Sequence, residues 1–466
     1  MDIKILIFIF TIIVTIVSAS VGKSYDGYML YKIVPKDDSE VKILEEIQVK
    51  NLGEFWDDAF KVNQETKVMV SPENRQEFLR HLDVGKIESK IVINDIQRAI
   101  NDQLKPDISR SNQSYLSYSW TEYHNLEAIY SWLDELEENH PLVAKTVVMG
   151  KSVQNRDIKG IIINHRPGRP NPLFGVLEGT LHAREWISAA TVTWVIKEFL
   201  TSNNTEIRAL AENFEWHIFP VVNPDGYAYT FSHNRMWRKN RSPENVKTCP
   251  QGVDDDMSHG VDLNRNFDFE WMTIGASADS CNNQYAGPLA FSEPETRAIS
   301  NYVKTLNEKG EIIFYIAFHS YTQLIIIPYS HVVSLDDALL SGNYPDMYEV
   351  AIRGADALEK RYGTHYRVGL SATVMYPMSG ASFDWVKAAV NVPLTYLIEL
   401  RDLGEFGFLL PPGQIIPTAL ETVDALVEMG QSASRLGYYE LQYSGANSVV
   451  FSSLMILLGV LIALLK

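Results

Sequence analysis

Cysteine is scarce in this sequence: only Cys249 and Cys281 occur among 466 residues. Two cysteines exclude a small domain built on several disulfides and leave room for a single bridge. A basic excess is also missing, because 41 Lys and Arg face 58 Asp and Glu and give a formal charge of −17. Nucleic-acid-binding proteins normally carry a basic surface, so the net charge argues against this class. Hydrophobic residues make up 46% of the chain, which provides a large core and excludes disorder of the whole chain.

The N-terminus carries the pattern of a secretory signal peptide. Residues 5–17 form an apolar run that leads to Val17-Ser18-Ala19, so cleavage after Ala19 is expected and the signal peptide spans 1–19. A short membrane anchor is the alternative, but this run is too short to span a bilayer core of about 30 Å. Secretion places the chain in an oxidising compartment, where a Cys249–Cys281 disulfide is expected.

The opposite end resembles a signal for a glycosylphosphatidylinositol (GPI) anchor. An apolar segment at 449–465 follows the small residues SGA (444–446), and only Lys466 comes after it. The polar spacer is shorter than the usual length of about 8–12 residues, and the small triplet SAS (432–434) is another possible attachment site. A short transmembrane anchor and a buried terminal helix remain alternatives. We assign residues 437–466 to this tail and expect a cell-surface protein, with free secretion or a single membrane span as alternatives.

Residues 20–110 are predicted to form a small α+β domain. Their periodicity follows the order β-α-β-β-α-β, which is typical of a ferredoxin-like fold, and a further helix near 95–104 follows. A polar segment at 105–113 contains Pro106 and is predicted to be an exposed linker. A trypsin-like protease could cut it between Arg110 and Ser111, although an ordinary interdomain linker explains the composition equally well.

Residues 111–436 are predicted to form an α/β domain. Near-continuous apolar strands alternate with amphipathic helices, including one predicted over 121–138. Such strands indicate a parallel or mixed sheet that is covered by helices on both faces.

Titratable residues stand at the ends of three of these strands. His182 and Glu185 follow the strand LFGVLEG, His319 lies one residue before the end of IIFYIAFHS, and Glu399 lies one residue before the end of VPLTYLIEL. Ligands of open α/β sheets bind at the carboxyl ends of strands. Two histidines and one carboxylate form the ligand set of a catalytic Zn²⁺ site, with a fourth position open to water. Glu399 is then the candidate general base, while a purely structural role for each histidine remains the alternative.

Three arginines indicate what the site could hold. Arg184 lies inside the HARE segment, Arg238 in NRMWRKNR, and Arg265 in DLNRNF. An arginine fork matches a carboxylate with two parallel hydrogen bonds, as an enzyme that recognises a free peptide C-terminus requires. Ordinary surface ion pairs are the alternative.

The chain between about Tyr25 and Gly430 resembles zinc carboxypeptidases of the pancreatic A/B type, which are made as proenzymes. The resemblance rests on motifs in the family's order: GTLHAREWISAA, NPDGYAYT, NRMWRKNR, DLNRNF, AFHSYTQLIIIPY, YPMSGASFDW and LIELRDLGEFGFLLPP. It implies a mixed eight-stranded sheet with helices on both faces, a prodomain that covers the cleft, and cleavage after Arg110. It also implies one Zn²⁺ per chain and the disulfide Cys249–Cys281.

The resemblance also implies roles for individual residues. His182, Glu185 and His319 would bind zinc, Glu399 would be the general base and proton shuttle, and Arg238 would hold the oxyanion. Asn264, Arg265 and Tyr376 would bind the substrate's terminal carboxylate, and Arg184 and Tyr321 would line neighbouring subsites. Phe383 stands at the pocket-floor position and carries no charge, with Met378 and Leu397 expected beside it, so neutral hydrophobic C-terminal residues are the expected substrates. The anchored tail is similar to carboxypeptidase O, whose basic specificity residue is absent here.

Other expectations concern partners and modifications. Peptide C-termini, a trypsin-like activator and a lipid-anchored membrane contact are the expected partners, without nucleic acid, and the chain is expected to be a monomer. Asn112 and Asn203 are candidate glycosylation sites, and a glycan on the third sequon, at Asn240, would crowd the cleft. The acidic segment at 254–259 is expected to be a solvated loop, with calcium binding as an alternative. A surface protein that binds zinc or peptide C-termini without catalysis is the rival hypothesis.

Overall fold

The computed structural model describes residues 22–57, 60–107, 114–244, 246–334 and 342–443. The predicted signal peptide, the Arg110–Ser111 cleavage site, Asn112 and the apolar C-terminal segment lie outside these residues. No helix within the described ranges combines the length and the apolar character needed to cross a membrane.

The N-terminal domain has the ferredoxin-like order that its periodicity predicts. Its strands form an antiparallel sheet in the order β2-β3-β1-β4. The Asp37 side chain caps the first helix by accepting from two backbone N–H groups, and Asp95 caps the third helix by accepting from the Arg98 N–H. The elements are β1 (Met29–Ile33), α1 (Asp38–Val49), β2 (Glu54–Phe55), β3 (Thr66–Val70), α2 (Arg75–Gly85), β4 (Ser89–Ile93) and α3 (Ile96–Gln103).

The second domain is an α/β unit around an eight-stranded sheet, as predicted. Its strands are a short hairpin of β5 (Ser114–Tyr115) and β6 (Tyr118–Ser119), then β7 (Ala144–Lys151), β8 (Asp157–Ile163), β9 (Leu173–Gly179), β10 (Glu215–Phe219), β11 (Glu311–Ser320), β12 (Leu324–Ile327), β13 (Arg367–Leu370) and β14 (Leu394–Leu400). Its helices are α4 (Leu126–Asn139), α5 (Trp186–Thr201), α6 (Thr205–Asn213), α7 (Pro224–Ser232), α8 (Pro294–Asn307), α9 (Tyr344–Tyr362), α10 (Ser371–Val374), α11 (Ser382–Trp385), which a π-helical turn continues, and α12 (Ile415–Arg435).

The sheet is mixed and is buried on both faces. Its order is β13-β12-β14-β11-β9-β10-β8-β7, in which β14, β11, β9 and β10 are mutually parallel and β7 and β8 are antiparallel to their neighbours. One apolar core lies under α4, α5, α9 and α12, and a second lies under α8 and α11. Alternate residues of β11 enter opposite cores, Ile316 on one side and Ala317 on the other, which explains why the strand is apolar throughout.

Strand register brings the predicted catalytic residues to one edge of the sheet. β9, β11 and β14 are parallel neighbours, so their carboxyl ends meet. His319 pairs directly with Glu399 in the ladder between β11 and β14, and β9 ends three residues before His182. The site therefore depends on three strands that are distant in sequence.

Candidate active site

The three predicted zinc ligands converge in the structure. His182 Nδ1 lies 2.7 Å from Glu185 Oε1, and His319 Nδ1 lies 3.0 Å from Glu185 Oε2. The candidate ligand atoms all lie within 4.8 Å of one another, and the three side chains are buried. Burial favours the neutral form of Glu185, but the adjoining histidines outweigh it and hold the pKa of this carboxyl well below its usual value. Burial lowers the pKa of His319. A carboxylate with neutral imidazoles is the state that binds a divalent metal.

Hydrogen bonds at the end of β9 hold this cluster in place. The Thr180 N–H donates to Ser188 Oγ at 2.9 Å, and that hydroxyl donates to the Phe318 carbonyl at 2.7 Å. Ser188 belongs to α5, so the helix, β9 and β11 are tied together beside the ligands. Glu185 occupies the N-cap position of the same helix.

Asp262 belongs to the candidate site although no sequence pattern singles it out. It is fully buried, and its Oδ1 lies 3.0 Å from His182 Nε2. Its Oδ2 accepts from Arg238 Nε at 3.1 Å and Nη2 at 2.9 Å. Burial opposes ionisation, but Arg238 and His182 hold its pKa well below the ordinary value. A carboxylate on the second nitrogen of a metal-binding histidine fixes the tautomer and the ring orientation. Its one mark in the sequence is its place at the start of the DLNRNF motif, and the neighbouring acids at 254–256 and 268 give no reason to choose it.

One cavity collects most of the predicted catalytic and binding side chains. His182, Glu185 and Glu399 line it together with the two arginines Arg238 and Arg265. The other predicted residues in its wall are Asn264, Tyr321, Tyr376 and Met378. Arg367 and, from the N-terminal domain, Asp57 also line this small, largely buried space, so three arginines and three carboxylates meet there.

The predicted carboxylate-binding residues adjoin one another. Arg265 is fully buried, and its Nη2 lies 3.4 Å from the Tyr376 hydroxyl. Its Nε donates to the Gly275 carbonyl at 2.7 Å, and Nη1 donates to the Asn264 carbonyl at 2.9 Å. These bonds fix the plane of the guanidinium, which is the preorganisation that bidentate binding of a carboxylate needs.

Arg184 lies beside this cavity. Its guanidinium stacks on the Phe408 ring at 4.1 Å, and the Tyr321 ring centroid is 5.0 Å from that of Phe408. Both Tyr321 and Phe408 line the cavity.

The predicted specificity residues fall into two groups. Met378 lines the cavity with Leu324, whereas Phe383 and Leu397 pack behind it in the core under α8 and α11. Phe383 has no exposed surface, so it supports the cavity wall in this structure and is absent from the lining. Arg367, which no sequence motif marks, does belong to the lining.

The N-terminal domain closes this cavity. Trp56, Asp57 and Gln64 form part of its wall, and Glu54 Oε1 accepts from Arg184 Nη1 at 3.0 Å. The Lys61 ammonium donates to the carbonyls of Ala372 at 3.1 Å and Met375 at 2.9 Å, directly before Tyr376.

The predicted disulfide between Cys249 and Cys281 is present. In the acidic segment beside it, Asp255 accepts from the Cys249 N–H, and Asp256 pairs with Arg241 and accepts from the Tyr229 hydroxyl. These contacts explain two of the acids without a calcium ion.

The described sequons differ in exposure. Asn203 is exposed. Asn240 is fully buried, and its Nδ2 donates to Glu293 at 2.7 Å and Glu295 at 3.0 Å, so the folded chain has no room for a glycan there.

Comparison with known proteins agrees with this geometry. The family model for zinc carboxypeptidases matches residues 129–425, and the model for the carboxypeptidase activation peptide matches residues 31–103. The chain belongs to the zinc carboxypeptidase family and is made with an activation peptide, as a zymogen. We therefore call the N-terminal domain the prodomain.

Individual relatives support the same assignment. The chain is 38% identical over 435 residues to "Zinc carboxypeptidase A 1" of Anopheles gambiae, covering 93% of this chain and 95% of that protein. It is 38% identical over 325 residues to human "Carboxypeptidase O", covering 69% of this chain and 82% of the relative. Among solved structures, thrombin activatable fibrinolysis inhibitor matches with a TM-score of 0.78 at 28% identity, covering 87% of this chain and 98% of that one.

Proposed function

We propose that this zinc carboxypeptidase removes neutral hydrophobic residues from the C-termini of peptides after its prodomain is cut off. The observation that carries the proposal is the cavity that joins the His182–Glu185–His319 cluster, Glu399 and the buried Arg265. A metal centre next to a carboxylate-binding arginine suits the last peptide bond of a chain, because the free carboxylate lies one residue from the bond that breaks.

Different side chains have different roles in the hydrolysis of the peptide bond. Zn²⁺ held by His182, Glu185 and His319 supplies Lewis acidity when bound. Glu399 removes a proton from the attacking water and returns it to the departing amine nitrogen. Arg238, held by two hydrogen bonds to Asp262, stabilises the negative charge that develops on the carbonyl oxygen.

Asn264, Arg265 and Tyr376 hold the substrate's terminal carboxylate beside these groups. Substrates with a free carboxylate should therefore be bound in one register, with the final peptide bond next to Glu399. Arg184 and Tyr321 contact residues further from the C-terminus.

C-terminal residue preference is the first test. Peptides that differ only in the last residue should show kcat/KM values for Leu, Met and Phe about 10²-fold above those for Lys and Arg, because the apolar wall of Met378 and Leu324 leaves a charge unpaired. Steady-state kinetics on such a panel measures this. Faster hydrolysis of Lys or Arg peptides would contradict the assignment.

Arg367 favours a second specificity, for acidic C-terminal residues. It lines the same cavity, and its Nη2 donates to the Val374 carbonyl at 2.9 Å. The same panel separates the two proposals, since fastest hydrolysis of a Glu peptide would select the acidic specificity.

Activation is proposed to require cleavage between Arg110 and Ser111. Arg110→Gln should leave the secreted protein latent towards trypsin, because the prodomain stays covalently attached over the cleft. Activity and N-terminal sequencing after trypsin treatment measure the outcome, with Arg98→Gln, an exposed arginine of α3, as the matched control. Normal activation of Arg110→Gln would show that cleavage occurs elsewhere.

The chain is proposed to enter the secretory pathway through residues 1–19 and to be held at the cell surface by a GPI anchor in the 437–466 tail. A phosphatidylinositol-specific phospholipase should then release the protein from intact cells, since the enzyme cuts the lipid and leaves the polypeptide whole. Enzyme assay of the supernatant measures release. Retention on the cells would contradict the GPI anchor and indicate a membrane span, and spontaneous appearance in the medium would indicate free secretion.

A non-catalytic protein that binds zinc or peptide C-termini is the rival function. Such a protein would bind zinc and peptide yet leave the peptide intact after prodomain removal. The presence of Glu399 in the cavity argues against it.

A further inference from the structure

A buried carboxyl group lies behind the carboxylate-binding residues and has no part in the mechanism above. Glu178 is in β9, between Phe219 of β10 and Ala317 of β11, and only 1% of its surface is exposed. Its Oε1 lies 2.6 Å from Ser382 Oγ, which is fully buried. Burying a carboxyl group in an apolar strand costs free energy unless the group is hydrogen-bonded, and Ser382 supplies such a bond.

Ser382 connects this carboxyl group to the cavity. Its backbone N–H donates to Asn264 Oδ1 at 3.0 Å. An amide side chain has an oxygen that only accepts and a nitrogen that only donates. Because the Ser382 N–H requires an oxygen, the Asn264 amide is held in one orientation, and Nδ2 is the atom that can donate to a carboxylate in the cavity that Asn264 lines.

The backbone segment of Arg265 and Phe267 is tightly packed against the turn that contains Gly380. The Phe267 N–H donates to the Gly380 carbonyl at 3.1 Å. Gly380 has φ of +74°, and a Cβ there would lie 2.3 Å from the Arg265 carbonyl oxygen. A small displacement of the turn that carries Ser382 would therefore be transmitted to Asn264 and Arg265.

We infer that Glu178 is a positioning residue: its hydrogen bond to Ser382 holds the Asn264 amide in the orientation that binds the substrate's terminal carboxylate. The inference rests on the proposed function, in which Asn264 contacts that carboxylate. Burial raises the pKa of Glu178 to about 7, so the neutral acid is accessible and Gln is a close substitute.

Steady-state kinetics of variants at the buried Glu178 and Ser382 test the positioning role. Glu178→Ala and Ser382→Ala should each raise KM for a free-carboxylate peptide about tenfold and change kcat less than about threefold, since the reacting groups are untouched. Both should weaken inhibition by 3-phenylpropionate, a simple carboxylate, by the same factor. Glu178→Gln, in contrast to Glu178→Ala, should keep the wild-type KM. Ser379→Ala is the matched control, because the hydroxyl of that buried serine in the same turn donates to the Ile274 carbonyl instead of to Glu178.

A double-mutant cycle separates positioning from a general loss of packing. In an Asn264→Ala background, Glu178→Ala should add little to KM, since the amide it orients is gone. Additive effects, or unchanged KM in both single variants, would overturn the inference. If Asn264→Ala itself leaves KM unchanged, the proposed carboxylate binding fails instead. Thermal melting and zinc content are recorded for each variant, and Ser382→Ala, which loses one hydroxyl group, decides the matter if Glu178→Ala does not fold.

Discussion

Replacing Glu399 with Gln is expected to lower kcat for peptide hydrolysis about 10²–10⁴-fold while zinc stays bound. Glu399 lines the cavity, and its position in β14 pairs with His319 of β11. Gln has nearly the same shape but cannot take a proton from water. The measurement is hydrolysis of a blocked dipeptide after trypsin treatment, together with the zinc content of the purified protein.

The matched control for this prediction is Glu405→Gln. Glu405 is an exposed acid that follows β14 by a few residues and does not line the cavity. It should keep full activity. Equal activity in the wild type and in Glu399→Gln would remove Glu399 from the mechanism.

Asp262→Asn is expected to damage both the metal site and the oxyanion site. The affinity for zinc should fall about 10–100-fold, because His182 Nε2 loses its charged partner. At saturating zinc, kcat should still fall about 10²–10³-fold, because Arg238 loses the carboxylate that orients it. Competition with a zinc-binding dye measures the first effect, and kinetics in added zinc measure the second.

Asp256→Asn provides the control for this pair of effects. Asp256 precedes Asp262 in the same segment and pairs with Arg241 instead of with His182 and Arg238. It should change neither zinc affinity nor kcat by more than about twofold. A loss of kcat in Asp262→Asn that zinc fully restores would confine the role of Asp262 to the metal site.

Much of the fold follows from sequence patterns with a local physical cause. The apolar strands that carry His319 and Glu399 near their ends are buried on both faces, as predicted, because helices cover each side of the sheet. The helix predicted over 121–138 instead begins at Leu126, because the Asn125 side chain accepts from the Ala128 N–H and caps it there. Periodicity alone does not locate such a cap.

The part of the candidate site that lies at strand ends could be predicted from the sequence. His182, Glu185, His319 and Glu399 stand out because titratable residues interrupt apolar patterns. Asp262 gave little signal, since its importance comes from reaching His182 Nε2 and Arg238 across 80 and 24 residues of chain. Contacts of this range arise only from the tertiary fold.

Residues of the cavity wall were harder to assign from the sequence. Phe383 was expected at the pocket floor, yet it has no exposed surface and lies behind the lining. Arg367 lines the cavity, but it is the first residue of β13 and no motif in the sequence around it indicates a site. Side-chain direction at a cavity depends on packing against several elements, which no local pattern encodes.

The prodomain contacts give latency a structural basis. Glu54 pairs with the buried Arg184, and Trp56 packs on Phe408 at 5.2 Å. Lys61 binds the backbone directly before Tyr376, so the prodomain holds the segment that is proposed to contact the substrate carboxylate. Departure of the prodomain frees the cavity and this segment together.

The most direct test uses a peptide ending in Leu and a copy whose C-terminus is amidated. After trypsin treatment, the protein should shorten the free peptide one residue at a time and leave the amidated copy intact, because Arg265 has no carboxylate to bind. A chelator should stop the reaction and zinc should restore it, as mass spectrometry of the products would show. Internal cleavage, equal shortening of both peptides, or no cleavage by the zinc-loaded protein would contradict a zinc-dependent carboxypeptidase.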